Sequence, residues 1–397
     1  MVTATEFDAV TDFIRLCLCS RWDATALSAA RACSDRGGVD WDRLVPMLEV
    51  EHLTPLFYQT VRGQALVPPA VEQALADAYY AHAYRNAVLF AELEAALHAL
   101  TRAGIPVIVL KGAALASAVY QHAAVRPLRD LDLLVHPEDA PACLQLLAQL
   151  GYTPEGAESR PGAQLAYENE VQVRKLGVVE TAVEVHWSLL DAPYYQRVLA
   201  LDWFWETARP VSVRTASALM FGPEAQLLHL CAHRLLHHSP GYAGQLLWLH
   251  DIGELLTCYR DQLDWRSVLE HATRYDLVFP LTHTLLTLKR EWRMAFPEEI
   301  EAELLHLVPS SKEMQLFDTL TRGRASVGRR FWSDLSQMGG WRRRLGFIAA
   351  NIFPSRAYMQ ERYGVRHPFL LPLYYPYRCW LGLRSLLPLR ERRASHS

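Results

Sequence analysis

Leu128-Arg-Asp130-Leu-Asp132-Leu-Leu-Val135 alternates acid and leucine through Leu133, the signature of a strand with one polar and one apolar face. On such a strand Asp130 and Asp132 point the same way, and Leu131 and Leu133 turn into a core. Two carboxylates on one face repel each other unless a cation lies between them. Magnesium suits the place, because it prefers hard oxygen ligands and binds through one or two carboxylates together with substrate phosphates. A bare acid–x–acid pattern is more often a pair of solvated side chains at a strand edge, so the flanking sequence has to decide.

Upstream, Ile105-Pro-Val-Ile-Val-Leu110 is short, apolar and β-branched and predicts a buried strand. Lys111-Gly112 ends it, and Ala113 to Tyr120 predicts a helix. A glycine at such a turn lets backbone approach a phosphate, and the helix start offers free N–H groups. Lys111 adds a cation. Downstream, Val171 to Leu176 and Val178 to Trp187 predict two more strands, with a shorter one at Pro210 to Arg214. Glu184 and His186 share a face of the second of these strands. A third carboxylate there suits two-metal phosphoryl chemistry, as a ligand or as the acceptor of a proton from an attacking hydroxyl. Glu180 is a rival for the same role.

On either side the pattern is helical. Tyr79, Ala83, Phe90, Leu93, Leu97 and Leu100 lay an apolar stripe along a helix over Val71 to Arg102, with Asn86 as an exception inside it and Gly104 as its cap. Pro137-Glu-Asp139 opens another helix, running to about Leu150. After Pro223 the chain returns to helices. The expected organisation is a helical region over 1–104, a small α/β core over 105–215, a second helical region over 216–340 and a basic, aromatic tail over 341–397. The fold class is α+β.

Taken together, Gly104-Ile-Pro-Val-Ile-Val-Leu-Lys111-Gly112, Arg126-Pro-Leu-Arg-Asp130-Leu-Asp132-Leu-Leu-Val135 and Glu184-Val-His186-Trp187 resemble the uncharacterised nucleotidyltransferase-like family of the polymerase-β superfamily. The resemblance runs from about Val71 to about Asp251. It implies a small mixed sheet with flanking helices and metal-dependent transfer of an NMP from an NTP. It implies Asp130 and Asp132 as ligands of two Mg²⁺ ions, with Glu184 as the third acid. Members occur in bacterial gene clusters for exopolysaccharides and peptide natural products, so the acceptor would be a hydroxyl or a phosphate in such a pathway. One departure stands out: the superfamily's Gly-Ser phosphate turn is Gly112-Ala113 here, and the acid pair comes later. Lys111, Gly112, Arg126 and Arg129 are therefore the expected nucleotide-binding residues, since cations neutralise charge in phosphoryl transfer. A catalytically degenerate, purely binding member of the fold is the alternative.

His229, His233, His237 and His238 form a histidine series, the first three spaced by four along one helix face. Packing or a substrate pocket is the commoner outcome for such a series, and zinc binding, as in a metallohydrolase, the rarer one. His186, His233 and Asp251 are the expected substrate-pocket residues. The arginines from Arg342 to Arg393 face only Glu361 and Glu391 and are interleaved with aromatic rings. That composition suits a solvated face or an anionic membrane surface. The net charge of −3 argues against nucleic acid. The seven cysteines are scattered, with no CxxC pair, as expected of reduced thiols. No basic n-region precedes an apolar core at Met1 to Asp12. The longest apolar run, Pro368 to Leu383, is interrupted by Arg378 and falls short of a membrane span. A cytoplasmic protein, peripheral at the inner face of the membrane, is expected.

Overall fold

The computed structural model describes residues 9–120, 122–237, 244–322, 327–365 and 367–386. Seven strands form one mixed sheet in the order β3-β4-β5-β2-β1-β7-β6. They are β1 (Ile108–Val109), β2 (Leu131–Leu134), β3 (Thr153–Pro154), β4 (Glu170–Lys175), β5 (Thr181–His186), β6 (Arg209–Val213) and β7 (Ala216–Met220). The central strand β2 lies parallel to β5 and antiparallel to β1. Helices cover both faces, and four of the six strand pairings are antiparallel, so the molecule is α+β.

The sheet separates two cores, and the period-two alternation of its strands feeds both. Leu131, Leu133, Val171, Val173, Val183 and Val185 face one way, against Leu89, Leu93 and Leu97 of the long helix Pro69–Arg102 and Cys143 and Leu147 of the helix Ala140–Gln149. Each such side chain contributes roughly 1.5–3 kcal/mol on burial. Ile108 and Leu134 face the other way, into a larger core built from the N-terminal helices and the helices after Pro223. The long helix serves both: Leu75 belongs to the second core, whereas Leu89 to Leu100 belong to the first. The apolar stripe expected along it is therefore real but divided between two partners.

Three expectations of local structure are corrected. The first strand is confined to Ile108–Val109, the residues paired in register with β2 and β7. The helix expected from Pro137 begins at Ala140. Strand β7, Ala-Ser-Ala-Leu-Met, carries no β-branched residue and was not expected; its pairing with β1, Ile108 opposite Leu219, sets its conformation. Among the described residues of the tail are three α-helices, Trp341–Ile352, Arg356–Tyr363 and Leu371–Leu386. It is tied to the sheet side of the molecule by polar bonds: Ala157 N donates to Glu361 Oε2 at 2.8 Å and Arg160 Nε to the Phe353 carbonyl at 2.7 Å.

Candidate functional site

Strand register assembles the site. In the parallel β2–β5 pair, Asp132 lies opposite Glu184 and Leu134 opposite His186; in the antiparallel β4–β5 pair, Glu170 lies opposite His186 and Gln172 opposite Glu184. Residues in register point to the same face, so Asp132, Glu184, His186 and Glu170 converge on the face turned towards the C-terminal helices. One ligating atom each from Asp132, Glu184 and His186 lies within 4.8 Å of the others. Asp130, just before β2, is half-buried and does not join that group; it lines a cavity of about 510 Å³ with Arg129, His52, His82, Gln172 and Arg174.

Lys111 stands among the acids. Its Nζ is 2.6 Å from Asp132 Oδ1 and 3.7 Å from Glu184 Oε2. The residue begins its helix at φ 45°, a left-handed conformation costing a non-glycine residue roughly 1–2 kcal/mol. His186 Nε2 is 3.0 Å from the same Asp132 oxygen, and its Nδ1 is 2.9 Å from Glu170 Oε2, close enough for an ion pair but off the line of a hydrogen bond.

The electrostatics follow from this crowding. Burial opposes charge on Asp132, but Lys111 and His186 outweigh it and hold the carboxyl far below its usual range. Burial, opposed by His186 and reinforced by the Asp132 charge, pushes Glu184 up to about 7. Burial and Asp132 raise Asp130. Burial would raise Glu170 too, but His186 brings it down to about 2. Two carboxyls on one face are thus pushed apart, Asp132 firmly ionised and Glu184 poised near neutrality, a division typical of sites that move protons.

The loop carrying Asp130 is clamped from two sides. Asn86, buried within the long helix, donates to the Ala123 and Arg126 carbonyls, both at 2.8 Å, and accepts from Leu128 N at 3.0 Å. Its place as a polar exception in an apolar stripe was the one sequence signal of this role. On the other side, Arg126 donates from Nε and Nη2 to the two Asp251 oxygens at 3.1 and 2.6 Å, and the Tyr120 hydroxyl donates to Asp251 Oδ1 at 2.7 Å. Asp251 lies on the helix Gln245–Cys258.

Arg126, expected to bind nucleotide, is 7% exposed and directs its fork to Asp251. Asp251, expected in a substrate pocket, is wholly buried as that partner. At Gly112, expected to approach a phosphate, a Cβ would lie 2.7 Å from Arg126 Nη1, so the glycine makes room for the arginine. Arg129 is exposed, with Nη1 3.3 Å from His52 Nε2. Glu180 is exposed and paired with Arg174. Glu170 has no sequence signal, and only the pairing of β4 with β5 brings it opposite His186.

The histidine series flanks the acids. His229 lies in the last turn of a helix, Pro223–Ala232, that continues as a π-helical turn, His233–His237. His233 stacks on His237 at 5.0 Å and meets Trp248 edge-on at 5.2 Å. Burial, then the nearby Lys111 and His186 charges, brings His229 down to about 3, so it is neutral. None of these three joins a group of ligating atoms among the described residues. His238 lies outside the described residues. Across those residues no helix is long and apolar enough to cross a membrane.

The chain belongs to the uncharacterised nucleotidyltransferase family, whose model matches residues 37–292. An antigenic nucleotidyltransferase-like protein from Paracoccidioides brasiliensis is similar in structure over 58% of this chain and 96% of its own, at 12% identity and a TM-score of 0.32, a likeness too distant to bear on the site. No curated protein sequence matches the chain.

Proposed function

We propose that this protein is a metal-dependent nucleotidyltransferase that moves an NMP from an NTP to a hydroxyl or phosphate acceptor, in the polysaccharide or natural-product setting that the family resemblance implies. The observation that carries the reading is the register of Asp132 with Glu184 on neighbouring strands, beside His186, with ligating atoms within 4.8 Å. Two carboxylates offer the hard oxygens that a divalent cation of the Mg²⁺ or Mn²⁺ kind takes. Such an ion, when bound, stabilises charge on the phosphate oxygens. In the reaction an acceptor oxygen bonds to the α-phosphorus, the bond to the β-phosphate oxygen breaks, and pyrophosphate leaves.

The chain's own residues divide the rest of the work. Asp132, held ionised, and Asp130 carry negative charge for the cation. Glu184, raised to about 7, is placed to take the proton of an attacking hydroxyl. Arg129, at the cavity beside Asp130, offers a guanidinium to an anionic substrate. The test is a thermal shift against each of the four NTPs, with and without Mg²⁺, on the wild type and on Asp130→Asn/Asp132→Asn. A ligand at one hundred times its Kd adds about 2.7 kcal/mol to the native state. The expected result is a shift that requires Mg²⁺ and disappears in the double variant; four nucleotides without a shift would sink the reading.

A second reading, of a non-catalytic protein docked on a membrane, is favoured by one surface. On the helix Leu371–Leu386, Leu373, Tyr377 and Trp380 occupy one face at i, i+4 and i+7 and are 67%, 46% and 51% exposed. Arg384 follows one turn later, its guanidinium 5.3 Å over the Trp380 ring. Apolar side chains edged by arginine suit an anionic interface. The full chain is expected to sediment with vesicles rich in phosphatidylserine, and Leu373→Glu/Trp380→Glu to remain in solution. Equal sedimentation of the two proteins removes this reading.

A further inference from the structure

We propose that the Lys111 ammonium is a built-in cation standing in for one of the two metal ions expected at this site, so that the protein holds a single divalent ion. The inference rests on the nucleotidyl-transfer reading and departs from it in the number of ions.

Four observations carry it. Lys111 Nζ lies 2.6 Å from Asp132 Oδ1 and 3.7 Å from Glu184 Oε2, between the two carboxylates that register brings together. A cation bound to both acids would occupy that position. Second, the lysine is not a surface side chain that happens to lean in. It is 14% exposed at the side chain, and its backbone adopts φ 45° at the first residue of its helix, which fixes the direction of departure from β1. Third, Asp132 Oδ1 also meets His186 Nε2 at 3.0 Å, so this oxygen already has two nitrogen partners. Fourth, among the described residues the only group of three ligating atoms is that of Asp132, Glu184 and His186, and Asp130 is not part of it. The donor set fits one ion. A second would need the oxygens that the ammonium engages.

An ammonium in that place has a chemical consequence. It is a compact point charge with three donors and makes no demand for six ligands in octahedral array. It neutralises adjacent carboxylates permanently, so the site is assembled before metal or nucleotide arrives. Removing its charge leaves neighbouring carboxylates uncompensated, and those acids then recruit a cation from solution.

The experiment counts ions rather than turnover: equilibrium dialysis of the full chain against Mn²⁺, with bound Mn²⁺ read by electron paramagnetic resonance after acid release. Wild type and Lys111→Arg are expected to retain one Mn²⁺ per chain, and Lys111→Met two. Lys111→Gln, which keeps a donor to Asp132 without the charge, is the second neutral variant and is expected to match Lys111→Met; it carries the test if the methionine variant does not fold. Two Mn²⁺ on the wild type overturn the inference and leave nucleotidyl transfer standing. A count of one on a folded neutral variant overturns it equally. A wild type that retains no Mn²⁺ overturns the transfer reading, and this inference with it.

Discussion

Asp132→Asn lowers turnover on the order of 10³-fold or more, and the chain still folds. The carboxylate is the point at which β2 meets β5, Lys111 and His186, and it is the most firmly ionised acid of the site. Asparagine keeps the shape and removes the charge. Charge stabilisation by a bound divalent ion is worth several kcal/mol in the transition state, and each 1.36 kcal/mol is tenfold in rate, so losing the ion's main anchor accounts for the expected drop. The fold survives because the strand's hold on the core is through Leu131 and Leu133, on the opposite face. Stability falls by about 1–3 kcal/mol, since Lys111 and His186 lose a buried anionic partner. The measurement is steady-state turnover with the NTP that gives the thermal shift, alongside circular dichroism of the variant. A folded Asp132→Asn protein with wild-type turnover would end the catalytic assignment.

The acids were legible in the sequence because a strand's period is two. Once Asp130-Leu-Asp132-Leu and Val183-Glu184-Val185-His186 are recognised as strands, each one's polar face follows from alternation alone. What alternation cannot supply is which strand lies beside which, and in what register. Glu170 is therefore invisible until β4 is paired with β5, and Asp130 and Asp132 look equivalent until the strand is seen to begin at Leu131, with the first acid in the preceding loop. Arg126 is ambiguous for a related reason. A cation near an acid pair has the same sequence signature whether it holds a phosphate or pairs with a carboxylate 125 residues away, and only the tertiary fold distinguishes them. Gly112 shows the same ambiguity. Its missing side chain leaves the room that the Arg126 guanidinium fills. The tail's helices were hidden because arginines and rings dominated its reading, whereas its attachment runs through scattered bonds such as that of Ala157 N to Glu361.

Arg126→Ala lowers stability by about 3–5 kcal/mol, the loss expected when one partner of a buried ion pair is removed and the other keeps its charge. Asp251 is wholly buried and would retain only the Tyr120 hydroxyl as an oxygen-borne donor, 2.7 Å away, with no cation in contact. Arg126→Lys restores charge but not the two-pronged geometry and falls between the two. Arg126→Met/Asp251→Leu removes both charges and recovers most of the loss, because a well-packed apolar pair often replaces a buried ion pair without penalty. Denaturant unfolding of the four proteins reads these differences directly. The same series decides between the two roles open to Arg126. As the clamp of the loop before Asp130, its loss appears as a lower unfolding midpoint and is largely reversed by the apolar pair. As a triphosphate ligand, its loss would leave the midpoint in place, weaken NTP binding, and be no better in the double variant. The buried fork on Asp251, with Asn86 holding the same loop from the long helix, makes the first outcome the expected one. The position of Asp130 then depends on two contacts that never touch a substrate.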